Sequence, residues 1–175
     1  MGLEKAKITD IAQTAQIAPG TFYLYFPSKL SIISAMAEKM ITLVVNEIDT
    51  TVNHQAPFKT QLEQIIDAVY RNISKHRDIH ALLYAGLAQG NSLRQWETLY
   101  QPFYQYISCF LEENRQNSVI RQSVCSEHVA RLIIGLIESS AEQVYLYDSG
   151  GEKNAQERKR QLVDFLSHAL LDKTD

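Results

Sequence analysis

Apolar residues recur at intervals of three and four positions along most of the chain after residue 28. That spacing puts them on one face of an α-helix, and it predicts helices over residues 28–52, 62–73, 78–88, 93–117, 126–148 and 153–171. Glycine and proline account for only seven and four of the 175 residues, so tight turns are few. Runs of alternating β-branched residues bounded by Asn-Gly or Asp-Gly turns are absent. The sequence therefore predicts an all-α fold.

Single residues predict where some of these helices begin and bend. Ser28 is predicted to cap the 28–52 helix, because its hydroxyl can accept a hydrogen bond from a free N–H of the first turn. Ser126 is predicted to cap a later helix in the same way. Pro102 lies inside the 93–117 segment, where we expect a kink rather than a break.

The charge distribution argues against a chain that coats nucleic acid non-specifically, because the net charge is −3. Binding to phosphates needs only a local positive patch. Residues 1–31 contain three lysines (Lys5, Lys7 and Lys29) and two acidic residues (Glu4 and Asp10). This segment is therefore slightly positive, and the rest of the chain is negative.

The two cysteines, Cys109 and Cys125, have neither zinc-binding spacing nor the number that a disulfide framework needs. We expect both thiols to be buried as small core residues in a reducing compartment. The sequence shows no secretory signal peptide and no apolar run of about 18 residues, the length that a membrane helix needs. These features predict a cytoplasmic protein.

The first thirty residues have a different organisation. Ile8, Ile11, Ala12 and Ala15 predict a helix too short to be stable alone. A turn follows at residues 16–18, and Pro19 is a favoured first residue for a second short helix. Two short helices joined by a three-residue turn form a helix-turn-helix, whose second helix can enter the major groove of DNA.

The segment ITDIAQTAQIAPGTFYLYFPSK, residues 8–29, resembles the DNA-binding signature of the TetR family of bacterial transcriptional regulators. The resemblance depends on D-I-A in the first helix, G-T-F-Y at the start of the second, the following Y-F, and Lys29. It implies a regulator with neither enzymatic activity nor a cofactor. It also implies a helix-turn-helix head over residues 1–31 and a helical regulatory and dimerisation domain over residues 32–175.

The resemblance also implies roles for individual residues of the head. Thr21 and Tyr23 match positions that contact phosphates or base edges, Thr9 matches a base-facing position, and Lys29 matches a lysine that pairs with phosphate. Leu24 offers an apolar contact to a thymine methyl group. Tyr25 is expected on the outer side, with core packing as its alternative. The implied DNA-binding residues are Lys7, Thr9, Ala18, Pro19, Gly20, Thr21, Tyr23, Leu24, Tyr25 and Lys29.

The segment departs from the family pattern in several places. Lys7 and Ala18 occupy positions where the family usually has a Ser or Thr helix cap, and Gln16 replaces the usual turn glycine. A positive φ at Gln16 would be mildly strained. Residues 2–5 match the loop that follows a preceding family helix, so we expect the head to be incomplete at its N-terminus.

The family resemblance implies that the helical body binds a small effector and dimerises. We expect the helices at 126–148 and 153–171 to pair with those of a second subunit as a four-helix interface. Aromatic residues from three successive helices are candidates to line a pocket for a lipophilic effector: Tyr70, Tyr84, Trp96, Tyr100, Phe103 and Tyr104. Ordinary core packing is the alternative for each of them. The family precedent favours a repressor that binds double-stranded operator DNA as a homodimer and is released by the effector.

Other classes of protein are less well supported. His76 and His80 have the spacing of two metal ligands on one helix, but no third ligand lies nearby, and we expect a solvated surface there. The pair Glu138 and Glu142 is likewise expected on a solvated face. No phosphate-binding loop or nucleophile motif is present. The alternatives to a regulator are an all-α enzyme or ligand carrier with a similar head, and a protein-interaction adaptor.

Overall fold

The computed structural model describes residues 6–87, 93–147 and 151–172. These residues are helical, and the only β-structure among them is an isolated bridge between Ile120 and Leu171. The prediction of an all-α fold is confirmed. The helices are α1 (Ile8–Thr14), α2 (Pro19–Tyr25), α3 (Lys29–Thr51), α4 (Phe58–Lys75), α5 (Arg77–Leu87), α6 (Leu93–Leu99), α7 (Gln101–Gln116), α8 (Ser126–Glu142) and α9 (Gly151–Leu170), with a π-helical segment at Gln143–Tyr147 after α8.

The long helix α3 begins where the sequence predicts. The Ser28 hydroxyl accepts a hydrogen bond from the Ser31 N–H at 3.2 Å, and the Ser31 hydroxyl in turn lies 3.3 Å from the Ser28 N–H. This reciprocal capping box satisfies two N–H groups that have no partner within the helix. The N-cap predicted at Ser28 is therefore confirmed.

The predicted cap of α8 is wrong. Cys125 is the N-cap residue and has no side-chain capping bond, whereas Ser126 is the first residue of the helix. The Ser126 hydroxyl instead donates to Glu112 Oε2 at 2.9 Å. A serine can cap a helix only where the chain enters it, and here it ties α8 to α7.

The expectation of a kinked helix over residues 93–117 is also wrong, since the segment is broken into α6 and α7. Tyr100 separates the two, and Pro102 becomes the second residue of α7. Proline lacks the N–H that a continuous helix needs at that position, but the first turn of a new helix does not use it. The break therefore places Pro102 where its missing N–H costs no helical hydrogen bond.

Helix α4 forms the centre of the body. It contacts α3, α5, α8 and α9, and its inward side chains, including Leu62, Ile66 and Val69, are almost completely buried. The Lys159 ammonium of α9 lies 2.7 Å from Asp67 Oδ1 of α4. Each buried aliphatic side chain of this kind stabilises the fold by about 1.5–3 kcal/mol.

Both cysteines are exposed, so the prediction of buried thiols is wrong. Cys109 lies on the outer side of α7, and Cys125 lies in the loop before α8. Helical spacing places residues on a face, but it does not determine which face meets another helix. Within the described residues, no helix is both long enough and apolar enough to cross a lipid bilayer.

Candidate nucleic-acid interface and ligand cavity

The two short helices α1 and α2 pack through a small apolar contact. Ala12 of α1 and Phe22 of α2 are buried, and the Phe22 ring lies 5.5 Å from that of Phe26. Both helices have seven residues, which is too short for stability in isolation. Their structure therefore depends on this contact and on the turn between them.

The turn is a Schellman motif with glutamine where glycine is usual. Gln16 has a φ of 57°, the Ile17 N–H donates to the Ala12 carbonyl at 2.9 Å, and the Gln16 N–H donates to the Gln13 carbonyl at 3.1 Å. These bonds satisfy carbonyls at the end of α1 and reverse the chain toward α2. Gln16 therefore takes the left-handed conformation that the usual glycine would adopt freely, and a residue with a Cβ pays a steric cost there.

Helix α2 presents a strongly exposed aromatic and aliphatic surface. Tyr23 is 55% exposed, Leu24 is 82% exposed and Tyr25 is 74% exposed, whereas Thr21 is half-buried. The exposed residues Ala18, Pro19 and Gly20 form the start of the same helix. Exposed aromatic side chains of this size are unusual unless something covers them.

The remaining predicted DNA contacts lie at the start of α1 and of α3. Lys7 is exposed at the N-cap of α1, and Thr9 is exposed with its hydroxyl 3.3 Å from Asp10 Oδ1. Lys29 is half-buried, and its ammonium donates to the Ala6 carbonyl at 3.0 Å. The Lys29 side chain therefore joins the first turn of α3 to the chain just before α1.

A cavity of about 390 Å³ lies inside the body, between two hydrophobic clusters. Helices α3 to α8 contribute to its wall. Most of the wall is apolar, formed by Ala37, Met40, Ile41, Val44, Val69, Ile73 and Leu83. The aromatic side chains are Trp96, Tyr100 and Tyr104, and the polar ones are Asn72, His80, Glu97, Glu138 and Glu142. Its size is within the range of small-molecule sites in proteins.

The polar groups of the cavity have strongly perturbed acidities. Burial, together with the negative charge of Glu142, raises the pKa of Glu138 to about 8, and the Tyr100 hydroxyl donates to Glu138 Oε1 at 3.2 Å. Burial lowers the pKa of His80 to about 4, so its ring is neutral at pH 7. His80 Nε2 lies 3.3 Å from Asn72 Oδ1. Perturbed titratable groups in a concave site are typical of functional sites.

The two other charges near this wall neutralise each other. Glu97 forms an ion pair with Arg131 of α8, and the Arg131 guanidinium also lies 4.2 Å from the centroid of the Tyr104 ring. Among the described residues, the cavity wall includes neither lysine nor arginine.

Three of the five predicted aromatic residues whose side chains the structure describes line this cavity. Trp96, Tyr100 and Tyr104 are on its wall, whereas Phe103 is completely buried in the core. Tyr70 is also buried, and its hydroxyl lies 2.6 Å from Ser140 Oγ of α8 rather than in the cavity. The side chain of Tyr84 lies outside the described part of the structure.

The sequence prediction missed the polar wall of the cavity. His80, Glu138 and Glu142 were expected on solvated surfaces, and the structure places all three on the cavity wall. The signal available in the sequence was weak: Glu138 follows the apolar Ile137 and lies one helical turn after Ile134. Only the packing of α8 against neighbours on two sides brings that edge of the helix into the interior.

Comparisons with known proteins identify the family to which two parts of the chain are similar. A profile described as "Bacterial regulatory proteins, tetR family" matches residues 1–36, and one described as "Tetracyclin repressor-like, C-terminal domain" matches residues 62–170. The chain is 37% identical over 169 residues to YvdT, an HTH-type transcriptional regulator of Bacillus subtilis. The alignment covers 97% of this chain and 87% of YvdT.

Solved structures with the same fold include two with bound ligands. FadR from Bacillus subtilis in complex with stearoyl-CoA has a TM-score of 0.75 at 20% identity, covering 94% of this chain and 89% of FadR. A transcriptional regulator from Saccharomonospora viridis in complex with choline has a TM-score of 0.71 at 17% identity, covering 98% of this chain and 90% of that one. These likenesses show that the fold is shared.

Proposed function

Because the chain belongs to the TetR family of bacterial transcriptional regulators, we propose that it is a repressor that binds operator DNA as a dimer and is released by a small lipophilic effector. In this proposal residues 1–31 form the DNA-binding head, and residues 32–175 form the regulatory and dimerisation domain. The family is one of regulators rather than enzymes.

The observation that carries the proposal is the course of helix α3. Its first turn is joined to the head by the bond from Lys29 to the Ala6 carbonyl, and Ala37, Met40, Ile41 and Val44 from its middle line the cavity. A ligand that fills the cavity must therefore contact the helix that carries the head. Rigid-body movement of a helix by a bound ligand is a common way to switch a protein between two states.

The exposed surface of α2 supports its role as the recognition helix. Tyr23 and Thr21 bring hydroxyls that can bond to phosphates or base edges, and Leu24 can contact a thymine methyl group. A Cβ built on Gly20 meets nothing within 4 Å, so packing within the protein does not require glycine there. Small residues at the start of α2 leave room for DNA to approach the backbone.

Dimerisation is supported by apolar side chains left exposed on α8 and α9. Leu132 is 65% exposed, Leu136 is 42% exposed and Phe165 is 60% exposed. A symmetric contact between two copies would bury these side chains in a four-helix arrangement. A dimer is also a geometric requirement, since two recognition helices must reach half-sites about 34 Å apart.

The test of DNA binding is fluorescence anisotropy with the promoter region of the protein's own gene, at two salt concentrations. We expect specific binding that weakens steeply with salt, and Tyr23→Ala to weaken it about 10- to 100-fold through loss of about 1–3 kcal/mol. Tyr147→Ala removes a tyrosine that is also exposed but lies far along the chain, and this variant should bind like the parent protein. If the parent protein shows no salt-dependent specific binding, the regulator proposal fails, and the adaptor alternative is favoured.

A further inference from the structure

We propose that the effector is a lipophilic cation, such as a long-chain amine or quaternary ammonium compound, whose charged group lies against the Glu138 carboxylate beside Trp96 and Tyr100. This inference rests on the proposed function and specifies the chemical class of its ligand. It assigns to Glu138 the role of recognising the charge, and to the apolar wall the role of binding the hydrocarbon.

Glu138 is an acid in a mainly apolar wall. The wall around it is formed by aliphatic side chains of α3, α4 and α5, with the aromatic residues Trp96, Tyr100 and Tyr104 from the α6–α7 region. A carboxylate loses much of its hydration there, and such a cost is tolerated in proteins when the charge is paired or functional. Among the side chains that the structure describes, no lysine or arginine forms an ion pair with Glu138, and the hydrogen bond it accepts is from the Tyr100 hydroxyl.

Glu138 contrasts with Glu97, another acid of the same wall. The Arg131 guanidinium neutralises Glu97. Its position over the Tyr104 ring also shows that an aromatic face of this wall accepts a cation. Glu138 has no such partner among the described residues, and Trp96 and Tyr100 lie on the same wall. Aromatic side chains combined with a carboxylate are the chemistry that recognises ammonium groups.

The cavity wall offers little to bind an anionic group. The described side chains of the wall include neither lysine nor arginine, and the low pKa of His80 keeps its ring neutral at pH 7. A carboxylate or phosphate of a ligand would therefore be partly desolvated there without an opposite charge from these side chains, which is costly.

Binding of a cation should also release a proton. The pKa of Glu138 is raised to about 8, so at pH 7 its carboxyl is largely protonated in the empty protein, and a bound cation favours the ionised form. The other titratable groups that face the cavity are His80 of α5, Glu97 of α6, Tyr100, Tyr104 of α7 and Glu142 of α8. The negative charge of Glu142 raises the pKa of Glu138, as burial does, and Glu97 is paired with Arg131.

The experiment compares three probes with the same hydrocarbon chain on the full chain: decyltrimethylammonium, decanol and decanoate, each below its micellar concentration. Thermal stabilisation and calorimetric titration at pH 7 should show the cation binding at least tenfold more tightly than decanol, with decanoate weakest. Titrations in buffers of different ionisation enthalpy should show proton release with the cation and none with decanol. Tighter binding of decanoate, or of an acyl-CoA, than of the cation would overturn the proposal.

The matched variants are Glu138→Gln and Glu127→Gln, which make the same change at two positions of α8. Glu138→Gln should abolish the preference for the cation over decanol and the proton release, while decanol still binds. Glu127 is exposed and outside the cavity, so its variant should keep the preference of the parent protein. If Glu138→Gln does not fold, the test is proton release by the parent protein. Binding of the cation without release of a proton would then overturn the proposal.

Operator-release assays distinguish failure of this inference from failure of the proposed function. Release of DNA by decanoate or acyl-CoA but not by the cation would sustain the regulator and overturn the cationic effector. Binding of the cation in the cavity without any effect on a specific DNA complex would sustain the site as a cation-binding site, and overturn its role as the effector site.

Discussion

Glu138 and His80 lie on the same cavity wall, and burial shifts their acidities in opposite directions. It raises the pKa of the Glu138 carboxyl to about 8 and lowers that of the His80 ring to about 4. In both cases the neutral form is favoured because the charged form has lost water. At pH 7, without a bound ligand, the neutral forms of Glu138 and His80 therefore predominate on this wall.

The acidity of Glu138 makes stability depend on pH. Between its ordinary pKa of 4.5 and the folded value of about 8, the native state holds a proton that the unfolded state has released. The free energy of unfolding should therefore fall as the pH rises through this window. From pH 5 to pH 8, we expect the free energy of unfolding of Glu138→Gln, which is neutral at every pH, to fall by about 3 kcal/mol less than that of the parent protein. That difference corresponds to about 6–12 °C in Tm.

The measurement is thermal unfolding of the two proteins at matched pH values, without ligand. His80 is present in both, so its opposite contribution, which increases stability with pH between about 4 and 6.5, cancels in the difference. Parallel Tm curves over the whole range would contradict the raised pKa of Glu138.

At the scale of elements, the helix ends differ in how well they are capped. Helix α3 has a reciprocal capping box at Ser28, whereas α1 and α2 begin at Lys7 and Ala18 with no side-chain cap. The turn between them also has Gln16 at a positive φ. The head therefore lacks several local stabilising features that its short helices could use, and its order depends on the buried contact between Ala12 and Phe22.

A serine at position 18 should stabilise α2. Ala18 has the extended backbone of an N-cap residue, and a hydroxyl there could accept a bond from the N–H of Thr21. We expect Ala18→Ser to add about 1 kcal/mol to the local stability of α2, which slows hydrogen exchange of its amides about fivefold. Ala15→Ser makes the same chemical change at the end of α1, where no N–H needs an acceptor. Equal exchange in both variants would contradict the prediction.

At the scale of the whole molecule, the structure joins a small head to a large body through one helix. The body has its own core around α4, and the cavity lies between that core and a second cluster containing Ile33 and Leu83. Exposed apolar side chains occur in groups on α2 and on the outer sides of α8 and α9, whereas Val119 and Tyr147 are exposed singly. The two groups form the surfaces that the proposed function assigns to DNA and to a second subunit.

Charge on the outer side of α9 should separate the proposed dimer. Phe165→Glu replaces a 60% exposed ring with a carboxylate that two subunits cannot bury without a partner. We expect light scattering after gel filtration to give the mass of a monomer, and operator affinity to fall about a hundredfold or more as the second half-site contact is lost. Val119→Glu, at an exposed apolar residue between α7 and α8, should remain a dimer. A dimeric Phe165→Glu protein would contradict the proposed interface.

Much of the head and the helical architecture could be predicted from the sequence because their determinants are local. The capping box at Ser28, the left-handed residue at Gln16 and the spacing of Ile8, Ile11 and Ala12 act over a few residues. The wrong predictions at Pro102 and Ser126 also concern local structure. At each position the backbone could adopt either of two conformations: a kink or a new helix at Pro102, and a cap or a first helical residue at Ser126. Energies of about 1 kcal/mol decide such choices, and contacts with other helices contribute to them.

The all-α fold, the positions of most helices and the resemblance of one segment to a DNA-binding head could be predicted from local sequence alone. Which side chains meet in the cavity depends on how the helices pack in three dimensions. This packing places Glu138 and His80 on the wall and leaves Tyr70 and Phe103 in the core. The physical reason is that a cavity lined by six helices depends on how each one is rotated and crossed by its neighbours. Packing between residues far apart in sequence sets those rotations, and helical periodicity does not predict them.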